Sequence, residues 1–212
     1  MKSDVFSLLP GMLIIGSAPS GAGKNSIFSE VLRLQKGAVQ ESISCTTRQP
    51  RPDEVDGRDY NFVSLERFNK LEQQDLFLEA GGEHDGRRYG TLLEPVVDRL
   101  RQGVDVLLII EVKGARIARS RAPEALTIFI MPAGDSLEEK SAQLESQLRK
   151  RGYDSEERIH ERLELAVQEI AQASQYQHVV INAPGRLDDA VAEVNSIINN
   201  ARNERKARLA QA

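Results

Sequence analysis

The sequence predicts an α/β fold built on a central, mostly parallel sheet. Short apolar runs alternate along the chain with longer segments in which apolar residues recur every three or four positions. Such alternation is typical of parallel strands that are joined by crossover helices. Residues 104–110, "VDVLLII", are almost continuously apolar, as expected of a strand that is buried on both faces.

The elements follow in a regular order. Apolar runs predict strands at residues 12–16, 104–110, 126–131 and 178–182. Helical periodicity predicts helices at residues 26–34, 65–75, 94–102, 136–148, 154–172 and 187–208. Ser64 is placed to cap the second helix, and Ser136 and Glu139 have the spacing of a capping box. The mixed-charge tail, residues 203–212, is expected to be a fraying helix end.

Composition narrows the function classes. A chain of 212 residues is expected to form one compact domain, and a net charge of −4 argues against a nucleic-acid or anionic-membrane partner. The single cysteine, Cys45, excludes an internal disulfide. The first apolar run is too short for a signal or membrane span, so a cytoplasmic location is expected.

Residues 17–26, "SAPSGAGKNS", are close to a phosphate-binding loop, in which Gly, four free positions and Gly-Lys-Ser/Thr follow a strand and begin a helix. Gly21 and Gly23 let backbone N–H groups turn toward phosphate oxygens, and Lys24 is placed to reach the transferred phosphate. Ala18 replaces the first glycine. Asn25 replaces the metal-binding hydroxyl, and its carbonyl oxygen is expected to reach Mg²⁺ weakly or through water.

A second phosphate site is predicted in the polar stretch that interrupts the alternation of strands and helices. It begins "SCTTRQPRPDEVDGRDYNFV". Two guanidinium groups, from Arg48 and Arg51, flank a proline and are suited to clamp one dianionic phosphate, with Tyr60 as a further donor. The two phosphate sites are expected to face each other across a cleft.

At these residues the chain resembles the guanylate kinases. The family run T-T-R-x-x-R-x-x-E-x-x-G-x-x-Y-x-F is matched at Thr46, Thr47, Arg48, Arg51, Glu54, Gly57, Tyr60 and Phe62, and the likeness extends over residues 12–195. It implies a P-loop three-layer α/β fold with an inserted GMP-binding subdomain and a small lid. The nucleotide-binding core would comprise residues 1–43, 92–133 and 155–212, the insert residues 44–91, and the lid residues 134–154.

The resemblance also implies ATP and GMP as substrates, with Mg²⁺ accompanying ATP. ATP would contact Asn182 and the loop residues Ala18, Pro19, Ser20, Gly21, Ala22, Gly23, Lys24, Asn25 and Ser26. GMP would contact Arg48, Arg51, Tyr60 and Tyr89 through its phosphate, and Ser44, Glu79, Thr91 and Glu111 near its base. Lys24, Arg48, Arg151 and Arg162 would be catalytic, because they neutralise charge on the transferred phosphoryl group.

Several positions depart from the family pattern. Where the family carries D-I-D-x-Q-G after the central strand, this chain has Ile109, Glu111 and Lys113, and Gln147 replaces a lid arginine. Two alternatives therefore stay open. One is a related small kinase that phosphorylates a ribose bisphosphate, and the other is a catalytically silent binding module. The sequence leaves the oligomeric state open.

Overall fold

The computed structural model describes residues 6–84, 86–152 and 154–211, with His84 and Arg151 described through their backbone only. The strands are β1 Leu13–Ser17, β2 Val39–Glu41, β3 Cys45–Thr46, β4 Asn61–Phe62, β5 Phe77–His84, β6 Arg87–Leu92, β7 Asp105–Ile109, β8 Leu126–Pro132 and β9 His178–Asn182. The helices are α1 Lys24–Gln35, α2 Leu65–Gln73, α3 Leu93–Arg101, α4 Val112–Arg121, α5 Leu137–Arg151, α6 Glu156–Ile170 and α7 Leu187–Leu209.

The central sheet has five parallel strands in the order β2-β7-β1-β8-β9. Consecutive side chains of β1 enter opposite layers: Ile14 packs with Phe28 of α1 and Val194 of α7, whereas Ile15 packs with side chains of α3 and α4. Because both faces of the sheet are covered, its inner strands are nearly all apolar, as predicted. The α/β class expected from the alternation is confirmed.

The polar stretch forms a second, four-stranded sheet in the order β4-β3-β6-β5, covered by α2. Its small core contains Cys45, Phe68, Leu71 and Phe77. Ser64 caps α2 by accepting a hydrogen bond from the backbone N–H of Arg67, as its position in the sequence predicted. The strands of this sheet were not predicted, because β3 and β4 are two residues long and depend on pairing with distant segments.

Several elements differ from the prediction, either at a helix end or because a whole element was not predicted. Ser136 caps α5 as predicted, but the Glu139 carboxylate accepts from the N–H of Asp135 and not from Ser136, so the capping box is incomplete. Helix α4 was missed, and so was the short strand β2. The tail is helical to Leu209, and the buried Arg205 donates to the backbone carbonyls of Phe6, Ser7 and Leu9. The C-terminal tail is therefore an ordered helix and not the fraying end that was expected.

No helix within the described ranges combines the length and the apolar character that a bilayer span needs.

Candidate active site

The phosphate loop joins β1 to α1, and its two inner glycines have backbone conformations that other residues rarely adopt. The φ angle is 93° at Gly21 and 84° at Gly23. A Cβ atom at Gly23 would lie 2.5 Å from Nδ2 of Asn182. Glycine is therefore required here both by the backbone angle and by the neighbouring side chain.

The loop encloses a cavity of about 370 Å³. All nine loop residues for which the resemblance implies ATP contacts, 18–26, line this cavity. Four further residues complete the lining: Glu111, which precedes α4, and Arg162, Leu165 and Glu169 on α6. One face of α6 therefore forms the wall opposite the loop. The size and the surrounding N–H groups suit a chain of phosphates.

Lys24 is held at the carboxyl end of β7. Its Nζ donates a 2.9 Å hydrogen bond to the carbonyl of Ile110, which also accepts a 2.9 Å bond from Oγ of Ser17. Burial lowers the pKa of Lys24, and the carboxylates of Glu111, Glu169 and Glu41 oppose that effect.

Asn182, at the end of β9, supports the loop from behind. Its side chain is 8% exposed and donates a 2.8 Å hydrogen bond to the carbonyl of Ala22. The backbone carbonyl of Asn182 accepts a hydrogen bond from Nε2 of Gln143 on α5. Asn182 therefore joins α5 to the phosphate loop, and its contact with adenine stays a prediction.

The protein residues alone do not form a metal centre. Among the described residues there is no group of three or more His, Cys, Asp or Glu side chains that is arranged to hold an ion. Asn25 and Ser26 are exposed in the first turn of α1, beside the phosphate cavity. Their oxygens fit a hard cation that arrives with the nucleotide phosphates and keeps much of its water.

The predicted phosphate clamp of the insert is arranged differently from the expectation. The Arg48 guanidinium is 9% exposed and makes two 2.8 Å hydrogen bonds to the two carboxylate oxygens of Glu54. Glu54 also accepts from the backbone N–H of Arg51. The bond from Arg48, with a smaller contribution from the Arg51 N–H, lowers the pKa of Glu54 to about 2. Arg51 is exposed, and a clamp of one phosphate by both guanidinium groups stays a prediction.

Aromatic rings also contact the Arg48 guanidinium group. Its Cζ atom lies 5.2 Å from the centroid of the Tyr60 ring, within the range of a cation–π contact. Tyr60 and Tyr89 meet edge to face with centroids 6.0 Å apart. The structure thus brings together three of the four residues for which the resemblance implies contacts with the GMP phosphate.

Three of the four residues expected near guanine also meet, whereas the fourth, Glu111, lines the phosphate cavity. Glu79 is 4% exposed, and its Oε1 accepts a 2.8 Å hydrogen bond from Oγ1 of Thr91. Its Oε2 accepts from the N–H of Gly81 at 3.2 Å, and Oγ of Ser44 lies 3.4 Å from Oγ1 of Thr91. Burial raises the pKa of Glu79, against the effect of its hydrogen-bond donors. The strand pairing of β5 with β6 places Glu79 beside Thr91.

One short segment, residues 110–114, connects the two sites. The Ile110 carbonyl binds Lys24, and the Glu111 side chain lines the phosphate cavity. A Cβ atom at Gly114 would lie only 2.7 Å from Oε2 of Glu79, so the buried carboxylate rests on the first turn of α4. The negative charge of Glu41 influences both Lys24 and Tyr60. Residues 110–114 therefore contact Lys24 of the loop and Glu79 of the insert, and the arrangement of the two phosphate sites across one cleft stays a prediction.

The lid arginines are only partly described. Arg162 lines the phosphate cavity, and its Nη1 lies 3.1 Å from Oδ2 of Asp154. The side chain of Arg151 lies outside the described part of the chain. Arg149 is paired with Glu145 and Glu156. At the departures from the family pattern, Ile109 packs against the apolar core, Lys113 is exposed and Gln147 is half-buried.

Three acidic residues were not singled out from the sequence for any role at the site: Glu41, Glu169, and Glu54 beyond its place in the family run. Glu54 could have been found, because it lies six residues from Arg48 in a run of alternating charge. Glu41 and Glu169 carry no local signal. Their positions depend on β2 and α6 being packed beside the loop.

Comparison with known proteins agrees with this geometry. The family model described as guanylate kinase matches residues 11–201. The guanylate kinase of Pasteurella multocida is 41% identical over 189 residues, which cover 89% of this chain and 87% of that protein. The guanylate kinase of Nitrosospira multiformis is 44% identical over 190 residues, covering 89% and 85%.

A solved structure gives the same result. The crystal structure of guanylate kinase from Anaplasma phagocytophilum superposes with a TM-score of 0.68 at 26% identity, covering 93% of this chain and 89% of that one. The expected fold and the resemblance drawn from the TTR run are both confirmed. The chain therefore belongs to the guanylate kinase family of nucleoside monophosphate kinases, which use ATP to phosphorylate GMP.

Proposed function

We propose that this chain transfers the γ-phosphoryl group of ATP to the phosphate of GMP, with ATP in the loop cavity and GMP in the insert. The observation that carries this proposal is the shared segment 110–114, which contacts Lys24 at one end and Glu79 at the other. The two substrates are then aligned for in-line transfer, which is the main requirement of phosphoryl transfer.

On the ATP side, the N–H groups of residues 18–26 bind the phosphates, and the first turn of α1 contributes its positive end. Lys24 leaves the Ile110 carbonyl and follows the charge that develops on the transferred group. Arg151 and Arg162 add positive charge from the lid when it closes over the cleft. Mg²⁺ bound to the ATP phosphates would be held by water and by Asn25, and it would neutralise phosphate charge.

On the GMP side, the phosphate takes the place of Glu54 beside Arg48 and draws in the exposed Arg51, while Tyr60 and Tyr89 donate from the aromatic side. Glu79 accepts hydrogen bonds from N1–H and the N2 amino group of guanine. Adenine offers no such pair of donors, and its N1 acceptor would face the buried carboxylate, which is strongly unfavourable.

The two alternatives have less support. A kinase for ribose bisphosphates would have no use for the buried cluster of Glu79, Thr91 and Ser44. A silent binding module would have no need of Lys24 and the two strained glycines. We also propose a cytoplasmic location, where both nucleotides are available; this rests on the substrates alone.

A coupled assay of ADP formation with Mg²⁺-ATP and each of GMP, AMP, UMP and ribose 1,5-bisphosphate tests the proposal. Only GMP is expected to support rapid turnover. Lys24→Ala and Arg48→Ala should each reduce the rate by about 10²-fold or more, because each removes charge stabilisation from the transition state. Equal rates with AMP would refute the guanine assignment, and GMP binding without turnover would favour the silent module.

A further inference from the structure

Glu169 is a buried carboxylate in the wall of the phosphate cavity. It lies in the last turn of α6 and is 7% exposed. Arg162, Leu165 and Glu169 are spaced by three and four residues, so they share the face of α6 that lines the cavity. Arg162 supplies a positive charge there, but Glu169 places a negative charge where ATP phosphates are to bind.

The contact that holds Glu169 is with the loop itself. Its Oε2 accepts a hydrogen bond from the backbone N–H of Ser20 at 3.3 Å. Backbone N–H groups of such a loop are the groups that bind phosphate oxygens. The carboxylate therefore occupies one of the anion positions of the loop.

We infer that Glu169 is a positioning residue that holds the Ser20 N–H as a stand-in for phosphate and gives it up when ATP binds. The inference rests on the proposed function, since it assumes that the loop receives ATP. Before binding, the carboxylate keeps the loop ordered from the side of α6. After binding, a proton on the carboxylate removes its repulsion from the phosphates.

The surroundings of Glu169 favour that proton uptake. Burial raises its pKa to about 7, the charge of Glu111 adds to this, and the Ser20 N–H and Lys24 act in the opposite direction. The charged or titratable groups that face it are Lys24 from α1, Glu111 before α4, Arg162 on α6 itself and Tyr176 after α6. ATP adds negative charge to this set and so raises the pKa further.

The coupling between ATP binding and protonation of Glu169 has a definite sign. Since the protonated form is favoured in the complex, ATP binding takes up protons at and above pH 7. The affinity for ATP is constant well below pH 7 and falls as the pH rises past that point. At pH 8.5, which is 1.5 units above a pKa of about 7, the upper limit of the loss is about 30-fold.

The experiment is calorimetric titration of the whole protein with ATP in saturating Mg²⁺, without GMP, from pH 7 to 8.5 in two buffers of different ionisation enthalpy. The wild type is expected to take up a fraction of a proton and to bind ATP more weakly as the pH rises. Glu169→Gln keeps an oxygen that can accept from Ser20 but cannot titrate. This variant should take up no proton on binding ATP, and its ATP affinity should not change with pH. At pH 8.5 its affinity for ATP should be several-fold to about 30-fold above that of the wild type.

Two further variants distinguish the loss of the Glu169 charge from the loss of its hydrogen bond to Ser20 and from the loss of any charge on α6. Glu169→Ala should also be flat with pH but bind ATP more weakly than Glu169→Gln, because the Ser20 N–H loses its partner. Glu164→Gln removes an exposed charge of the same helix and should behave as the wild type. A Glu169→Gln profile that falls with pH as in the wild type would overturn the inference.

If Glu169→Gln does not fold, the wild type decides alone, and absence of proton uptake overturns the inference. Turnover of GMP by the wild type is measured on the same preparation. No GMP-dependent turnover would refute the proposed function, whereas normal turnover without proton uptake would refute only the role of Glu169.

Discussion

Replacing Glu79 with Gln tests how the insert selects guanine. The side chain keeps its length, and its amide oxygen can still accept the 2.8 Å hydrogen bond from Thr91. The second oxygen becomes an NH₂ group, which cannot accept from the Gly81 N–H or from a donor of the base. We therefore expect Glu79→Gln to lose one of two charge-assisted bonds to guanine and to gain a donor that faces another donor.

The size of the effect follows from the burial of the site. Glu79 is 4% exposed, so water does not replace the lost contact. A hydrogen bond to a charged group contributes about 1.5–3 kcal/mol, and an unpaired buried donor costs about 1–3 kcal/mol. Together these give about 2.5–6 kcal/mol, which corresponds to a loss of about 10²- to 10⁴-fold in kcat/KM for GMP.

The assay is ADP formation with GMP and with AMP, together with thermal unfolding of both proteins. The ratio of the two specificity constants should fall while the melting temperature changes little, because the variant loses one bond but also removes a buried charge. Glu83→Gln, two pairs further along the same hairpin and exposed, is the matched control. A kcat/KM for GMP within five-fold of the wild type would refute this account of guanine recognition.

Three other substitutions test residues that hold the two substrate sites or stabilise the fold around them. Glu54→Gln removes the carboxylate that competes with the GMP phosphate for Arg48, so the KM for GMP should fall. Because the pKa of Glu54 is lowered to about 2, the stability that its charge contributes is present above its usual pKa and is lost as the pH falls toward 2; urea unfolding of the variant should lack that loss. Gly23→Ala should destabilise by about 1–3 kcal/mol and weaken ATP binding, more than Gly37→Ala, whose φ is equally positive but whose Cβ meets no neighbour. Arg205→Leu should lower the free energy of unfolding by about 2–4 kcal/mol in denaturant titrations while turnover is unchanged, since it strands three backbone carbonyls.

The parts of the fold that were predictable are those whose burial leaves a local pattern. Strand β9 was predicted with its observed bounds because its residues are apolar and follow a polar turn. Helix α4 was missed because the residues it buries include Gly114, Ala115 and Ala118, which are too small to give a strong apolar period. Strands β3 and β4 exist only through pairing with partners far along the chain.

The same distinction applies to the site. The phosphate loop and the TTR run are contiguous, so spacing alone indicated their chemistry. The pairing of Arg48 with Glu54 is local and was open to prediction, whereas the contact of Glu169 with Ser20 arises only after folding. Ser20 and Glu169 are 149 positions apart, and nothing in the local sequence connects them.

The segment 110–114 contacts residues of both predicted substrate sites. A stretch of five residues cannot shift at the Ile110 carbonyl without also moving Gly114, on which the Glu79 carboxylate rests. We therefore expect occupancy of one pocket to affect the other, and any such influence must be equal in both directions. Substitutions within residues 110–114 are then expected to change the affinities for donor and acceptor together.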